Sequence, residues 1–242
     1  MTYVLVGAVG VLMGLAAHDL AHQSLDDTKP LRPLVGTCAT CGYTRGWTRF
    51  RCPQCGSALR YGPLWACVTA LMSAATANTI GFTWELIPYL GFVLLTTALA
   101  VTDIAAFRIV DRINLRGSAI VASFLAMAAI LSGDLDGLWR GLGGAAAYFV
   151  GASALFIVAG GRGFGAGDVK LAPQLGLFTA YMGWGVLGWA VLTTALVGGV
   201  IALILLLSGA GRDAELPYGP PMILGSWLAI ALVGVGAIPV PS

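Results

Sequence analysis

The chain has 242 residues, of which 58% are hydrophobic and only 10% are charged. Soluble domains carry about 25% charged residues, so this composition excludes an ordinary water-soluble domain and indicates a protein embedded in lipid. The formal net charge of +2 is too small to favour nucleic-acid binding, and no basic stripe with interleaved aromatic residues occurs.

Long uncharged runs follow one another along the chain, and a membrane-spanning helix needs about 20 mostly apolar residues. The runs are residues 1–17, 61–84, 86–102, 117–133, 141–161, 171–211 and 216–242. The sixth run is long enough for two helices, and Gly183-Trp184-Gly185 divides it. The first run has no leading basic residue and no clear cleavage site, so we expect a retained helix. The predicted fold is all-α, with about eight transmembrane helices.

The basic residues predict how the chain is oriented. If residues 22–60 face the cytoplasm, twelve of the thirteen Lys and Arg residues fall on the cytoplasmic side, and only Arg140 falls outside. Cytoplasmic loops of membrane proteins carry such an excess of Lys and Arg. We therefore expect a first helix over 1–21, a polar cytoplasmic loop over 22–60 and a seven-helix domain over 61–242.

Four of the five cysteines lie in this polar loop, as Cys38, Cys41, Cys52 and Cys55. Two Cys-x2-Cys pairs can supply four thiolates to a tetrahedral zinc ion. A glycine follows each pair, where a tight turn often needs a residue without Cβ. Disulfides are the alternative, which a reducing cytoplasm disfavours. Four thiolates leave no open position for water, so the predicted zinc is structural. Cys67, within the second run, is predicted to be a small core residue.

Two acidic residues stand at predicted membrane boundaries. Asp103 directly follows the third uncharged run, and Asp168 opens the sixth helix. Ionisable groups at such depth are costly and usually face a partner or a water-filled cavity. The predicted topology returns both residues to the same membrane face at the same depth. The two carboxyl groups can therefore form a pair.

Such a pair suits peptide hydrolysis, because two neighbouring carboxyl groups share one proton. The ionised member takes a proton from the attacking water, and the protonated member donates a hydrogen bond to the developing oxyanion. Gly165 and Gly167, just before Asp168, permit backbone angles closed to other residues and let an extended substrate approach. A flexible loop between helices is the alternative interpretation of this glycine-rich segment.

Four sequence elements, in this order along the chain, resemble those of type IV prepilin peptidases, which are Gly-x-Gly-Asp intramembrane aspartic peptidases. The paired cysteines resemble the zinc-binding loop of the bacterial members. The segment Asp103-x5-Ile109-Val110-Asp111 resembles the first motif, in which Pro usually stands where this chain has Val110. The other two elements are Gly165-Ala166-Gly167-Asp168, continued by Lys170 and Leu171, and Leu216-Pro217-Tyr218-Gly219-Pro220.

The resemblance implies an eight-helix protein of the bacterial inner membrane, with Asp103 and Asp168 as the catalytic pair. The zinc loop and the active site would lie at the cytoplasmic face. Substrate-binding or active-site loop residues are also implied by the motifs. These are Gly165, Gly167, Lys170, Asp111, Gly219 and Pro220.

The implied substrates are prepilins or pseudopilins, cut after a Gly that ends a short basic leader. The apolar helix that follows the leader would lie beside the enzyme within the bilayer. The implied partners are the lipid bilayer and the pilus or type II secretion machinery. Structural Zn²⁺ is one implied cofactor, and S-adenosylmethionine, which bifunctional members use to methylate the new N-terminus, is a second candidate.

Several alternatives stay open at this point. The ten-residue spacer between the cysteine pairs is shorter than in bifunctional members, and Gly14-Leu15-Ala16-Ala17-His18-Asp19 stands where they carry Gly-Ser-Phe-Leu-Asn. Methyltransferase activity is therefore undecided. An ion- or proton-coupled transporter also uses intramembrane aspartates, although such proteins often contain internal repeats, and we find none. The zinc loop can also serve as a docking module for an assembly apparatus.

Overall fold

The computed structural model describes residues 2–25, 35–38, 41, 43–46, 52–56, 62–160, 164–208 and 218–238. Gly42, Leu216 and Pro217, which belong to the sequence elements above, lie outside these residues. The described part of the chain forms eight α-helices and one short β-hairpin. The helices are α1 (Thr2–Ser24), α2 (Gly62–Ile80), α3 (Leu86–Ala106), α4 (Asp111–Ser132), α5 (Leu135–Val158), α6 (Ala166–Met182), α7 (Trp184–Leu207) and α8 (Gly219–Gly234).

The helices confirm the predicted all-α membrane architecture. Five of them, α1, α3, α4, α5 and α7, are long and apolar enough to cross a membrane. Gly183 separates α6 from α7, as the sequence predicts. The hairpin, of β1 (Val35–Thr37) and β2 (Thr44–Gly46), was not predicted; its strands are antiparallel, with Thr37 opposite Thr44.

Several helices extend beyond the uncharged runs that predict them. α1 continues to Ser24, past its predicted end at residue 21, and α4 begins at Asp111 instead of residue 117. α5 contains Arg140 in its first turns, and α6 begins at Ala166. Charged side chains are compatible with helical backbone, and long ones reach the membrane interface. In these four helices the uncharged run therefore marks the apolar middle and misses at least one end.

α3 and α6 form the centre of the bundle. In the most apolar 18-residue stretch of α3, 67% is buried inside the bundle, against 22% in the corresponding stretches of α4, α5 and α7. Residues 174–181 of α6 are all buried. Phe92 of α3 stacks on Phe178 of α6 with ring centroids 4.2 Å apart. Tyr89 donates a hydrogen bond of 2.6 Å to the Phe178 carbonyl. The two predicted catalytic residues therefore lie on the two central helices.

Glycines let two pairs of helices approach closely. Gly144 of α5 and Gly176 of α6 face each other, so that a Cβ on either would collide with the backbone of the other. Gly10 and Gly14 of α1 lie against α2 in the same way. Small residues at helix contacts are typical of membrane bundles.

The outer surface of the bundle is apolar. Large exposed side chains on α4, α5 and α7 include Ile130, Val158 and Leu207. Cys67 on α2 is also exposed, so the prediction of a core residue is wrong. In a membrane protein the lipid-facing and core-facing sides of a helix are both apolar, and sequence composition does not distinguish them.

Candidate active site and metal centre

Asp103 lies in the last turns of α3, and only 5% of the residue is exposed. The backbone N–H of Gly219, the first residue of α8, faces its carboxylate. A Cβ at Gly219 would lie 2.6 Å from Asp103 Oδ2, so only glycine leaves room for the carboxyl group. Oδ2 is buried and forms no hydrogen bond with any residue that the structure describes.

Asp168 lies in the first turn of α6 and is 6% exposed. Its Oδ2 accepts a hydrogen bond of 2.8 Å from the backbone N–H of Gly165. Negative charge is favoured at a helix N-terminus by the helix dipole and its unpaired N–H groups. Asp103 and Asp168 are close enough to interact electrostatically. The structure thus brings both carboxyl groups to the same end of the bundle, and their catalytic role stays a prediction.

Ile109, in the link between α3 and α4, lies between Gly167 of the Gly-x-Gly-Asp motif and Gly219 of the late motif. A Cβ at Gly167 would lie 3.2 Å from the Ile109 Cβ, and a Cβ at Gly219 would lie 3.4 Å from its Cδ1. Neither Gly165 nor Gly167 has a positive φ. The prediction that these two glycines provide unusual backbone angles is therefore wrong. Gly167 provides room for Ile109 instead, whereas a Cβ at Gly165 would make only an ordinary contact of 3.4 Å with Asp168 Oδ2.

A ladder of polar contacts joins α4 to α6 beside the carboxyl pair. The Lys170 Nζ atom lies 2.7 Å from Asp111 Oδ2, and both side chains are about half exposed. Deeper in the bundle, Asn114 donates to the Lys170 carbonyl at 2.9 Å and accepts from Gln174 at 2.9 Å. Ser118 donates to Gln174 at 2.6 Å. The ladder holds the first turns of α4 and α6 together. Contact of Asp111, Lys170 or Pro220 with substrate stays a prediction.

Val110 explains how this chain departs from the first motif without strain. It is the N-cap residue of α4, with φ −78°, which lies within the range of proline, about −65 ± 15°. Its N–H makes no backbone hydrogen bond to a described residue. The backbone at this position would therefore accept Pro as well as Val without losing a backbone hydrogen bond to a described residue.

The four predicted zinc ligands form one cluster. Cys38 Sγ lies 3.6 Å from Cys55 Sγ, Cys41 Sγ lies 3.5 Å from Cys52 Sγ, and all four sulfur atoms lie within 4.8 Å of one another. Tetrahedral zinc with Zn–S bonds of about 2.3 Å places its sulfur ligands about 3.8 Å apart. The distances are far longer than the S–S bond of about 2.05 Å, so these residues are thiols and not disulfides. The donor set fits zinc.

Local turns build this cluster. The first pair lies at the end of the β1–β2 hairpin, where the Cys38 N–H donates to the Tyr43 carbonyl at 2.9 Å. The second pair ends at Gly56, which has φ 70° as the sequence predicts for a turn glycine. The Tyr43 backbone N–H lowers the pKa of the Cys41 thiol, but desolvation and the three neighbouring thiols outweigh it and raise this pKa to about 12. A cation at the centre would relieve this crowding.

Three aromatic residues near the carboxyl pair were missed as site residues. The Phe164 and Tyr218 rings make an edge contact with centroids 5.3 Å apart. Tyr218 and Tyr148 both interact electrostatically with Asp168. The aromatic position of the late motif was a signal for Tyr218. Tyr148 gave none, because it lies within a uniformly apolar run of α5.

The fold and the site define a class: a polytopic membrane protein with two carboxyl groups converging at one end of its helices, and with a four-thiol cluster able to bind zinc. Over 181 residues the chain is 33% identical to the prepilin leader peptidase/N-methyltransferase of Bacillus subtilis (strain 168), covering 74% of this chain and 69% of that protein. The chain belongs to the prepilin leader peptidase/N-methyltransferase family, as the motifs predict.

Other relatives agree with this assignment. The prepilin leader peptidase/N-methyltransferase of Pseudomonas aeruginosa is 30% identical over 210 residues, covering 80% of this chain and 70% of that protein. The enzyme of the same name from Aeromonas hydrophila is 30% identical over 196 residues, covering 76% of this chain and 63% of that protein. No family model and no solved structure matches the chain.

Proposed function

We propose that this chain is a membrane-embedded aspartic endopeptidase that removes the leader peptides of type IV prepilins or pseudopilins. The observation that supports it most is the convergence of two buried carboxyl groups, Asp103 and Asp168, from the two central helices. The substrate class comes from the names of the relatives, which are prepilin leader peptidases.

In the proposed reaction the two carboxyl groups share one proton. The ionised member takes a proton from water while the water oxygen attacks the scissile carbonyl carbon. The protonated member donates a hydrogen bond to the carbonyl oxygen, and a proton passes to the amide nitrogen as the C–N bond breaks. One water is consumed, and one carboxyl and one amino terminus are formed. The Gly219 N–H, beside Asp103, and the Gly165 N–H, on Asp168, hold the two carboxyl groups in place.

We further propose that the carboxyl pair faces the cytoplasm from a bacterial inner membrane. Arg108, Arg112, Arg116 and Lys170 all lie in the segments next to the carboxyl pair, whereas Arg140 lies near the start of α5, at the other end of the bundle. An excess of Lys and Arg marks the cytoplasmic side. Leader cleavage after a Gly would then take place on the cytoplasmic side.

The four cysteines would hold Zn²⁺, which would close the polar loop without taking part in hydrolysis. A loop of this size buries little apolar surface, and metal binding supplies the folding free energy that a small core lacks. The second activity in the relatives' names is N-methylation, for which S-adenosylmethionine would be the methyl donor. The experiment below also reports this activity.

Co-expression with a type IV prepilin, followed by mass spectrometry of the prepilin N-terminus, tests the proposal. We expect Asp103→Asn and Asp168→Asn to abolish leader removal while the protein still inserts and keeps its helical content. Asp136→Asn is the matched control, because Asp136 is exposed in the first turn of α5 at the other end of the bundle. The mass of the product gives the cut position and any added methyl group.

Two outcomes would contradict the proposal. Either Asn variant could process the prepilin at the wild-type rate, which would exclude that residue from the pair. The purified protein in proteoliposomes could instead carry an ion flux that requires both aspartates, without cleaving any prepilin. This second result would favour the transporter alternative.

A further inference from the structure

A cavity of about 380 Å³ lies between α5 and α7, beside Asp168. We call it the α5–α7 groove. We propose that the groove holds the first two turns of the substrate's apolar helix, immediately after the scissile bond. This inference rests on the proposed peptidase function and assigns that function a binding surface. The residues that line the groove are almost all apolar, and its walls include Ala152 and Leu155 of α5 and Val191 of α7.

The groove is open towards the lipid. Its two walls are formed by residues 147–155 of α5 and 187–195 of α7, which at 1.5 Å per residue is roughly 12 Å of helix on each side. Met222 of α8, only 1% exposed, closes its inner side. Leu155 and Val191, at its edges, are 48% and 45% exposed. An apolar helix can therefore enter sideways from the bilayer.

The groove is continuous with the carboxyl pair. Phe164 and Tyr218, which line it, directly precede Gly165 and Gly219, the residues whose backbone N–H groups face the two aspartates. Tyr148, on the opposite wall, interacts electrostatically with Asp168. A chain lying in the groove would therefore reach the carboxyl pair without crossing a helix. In the substrates that the resemblance implies, the apolar segment directly follows the scissile bond, so the same chain would occupy both places.

A second cavity of about 230 Å³, between α2 and α8, is also apolar. It is lined by residues such as Leu71, Met72 and Trp227, and by none of the residues that contact either aspartate. The α5–α7 groove also contains two hydroxyl groups, those of Tyr148 and Thr194, which face each other.

Two substitutions fill the groove from opposite walls. Gly151 of α5 lines the groove, and a Cβ there meets no atom within 4 Å, so Gly151→Leu fills space without collision. Ala195→Leu does the same from α7 and guards against a folding defect of either variant. Gly199→Leu is the matched control, because Gly199 is also exposed, has open space at its Cβ and does not line the groove.

The measurement compares two substrates in proteoliposomes. One is a purified full-length type IV prepilin, and the other is a peptide of the same leader that ends shortly after the scissile bond. We expect both groove variants to lower kcat/KM for the full prepilin by about ten-fold or more, because filling a packed site excludes its occupant. Cleavage of the short peptide should stay at the wild-type rate in both groove variants, and Gly199→Leu should match wild type on both substrates.

The proposal is overturned if both groove variants cleave the full prepilin at the wild-type rate. The groove would then be filled by lipid and not by the substrate helix. It is also overturned if they lose both substrates equally, because the effect would then be on the carboxyl pair itself. If the wild-type protein cleaves neither substrate, the proposed function fails instead. The two failures are thus distinguishable.

Discussion

The thiol cluster and the carboxyl pair differ in how far apart their residues lie in the sequence. The thiol cluster takes its four ligands from residues 38–55, through one hairpin and one turn. The carboxyl pair takes its parts from α3, α6 and α8 and from the α3–α4 link. The first site needs only local turns, whereas the second exists only when the bundle has formed. We therefore expect the sites to fail independently.

The largest effect is expected at the local site. Cys52 is buried within the cluster, and Cys52→Ser should abolish zinc binding, because structural zinc contributes an apparent 10–16 kcal/mol in small domains, on the order of their whole folding energy. Metal analysis of the purified protein and limited proteolysis of the loop measure the result. Cys67→Ser, on the exposed face of α2, is the control and should bind zinc to the same extent as the wild-type protein.

The comparison breaks if Cys52→Ser also lowers the thermal transition of the helical bundle substantially. The zinc loop would then be part of the bundle's stability and not a separable unit. Unfolding of the helices together with the loop on addition of a zinc chelator would lead to the same conclusion.

The difference in range explains what the sequence could predict. The Cys-x2-Cys spacing predicts the thiol cluster and the φ of Gly56, because both depend on neighbouring residues. The positions of Asp103 and Asp168 at helix ends follow from apolar runs, and their shared face follows from the alternation of helices. Ile109 belongs to the first motif, but the sequence does not show that it packs between Gly167 and Gly219. Tyr148 could not be found, because helix rotation decides which residue of an apolar helix faces the site. The α5–α7 groove was missed for the same reason.

The next largest effect is expected at the carboxyl pair, when a side chain crowds Asp103 but both aspartates are kept. Gly219→Ala places a Cβ 2.6 Å from Asp103 Oδ2, so the carboxyl group must move. Moving a catalytic group by about 1 Å can lower the rate of an enzyme about 100-fold. Leader cleavage measures it, with Gly185→Ala as control, because a Cβ at Gly185 meets no atom within 4 Å.

Zinc content should be unchanged in Gly219→Ala. Cleavage at the wild-type rate would show that Asp103 does not need its present position. That outcome would count against the carboxyl pair as the catalytic centre.

The ladder between α4 and α6 should contribute moderately to stability. Gln174→Leu removes the donor to Asn114 Oδ1 and the acceptor of the Ser118 hydroxyl, which costs about 1–3 kcal/mol. Chemical denaturation in detergent measures the change. Ser123→Ala is the control, because the Ser123 hydroxyl is exposed and bonds only to the Ala119 carbonyl of its own helix. Equal stability of the two variants would show that the ladder does not hold α4 to α6.

The smallest effect is expected from the exposed end of the same ladder. Lys170→Met removes the ion pair with Asp111, and exposed pairs contribute about 0.2–1 kcal/mol. The difference from wild type should shrink at high salt, because ions screen exposed charges. A loss of cleavage much larger than the loss of stability would instead indicate that Lys170 contacts substrate.

Ile109 has a consequence for how the acidity of the pair is tuned. Its branched side chain separates the helix end that carries Asp168 from the helix end that lies on Asp103. The spacing of Gly167 and Gly219, which lie next to the two acids, therefore depends on the volume of one aliphatic residue. In the proposed catalytic pair, replacement by a smaller or differently branched residue would alter how tightly the two acids hold a shared proton, and so the pH dependence of leader cleavage, while both acids stay intact.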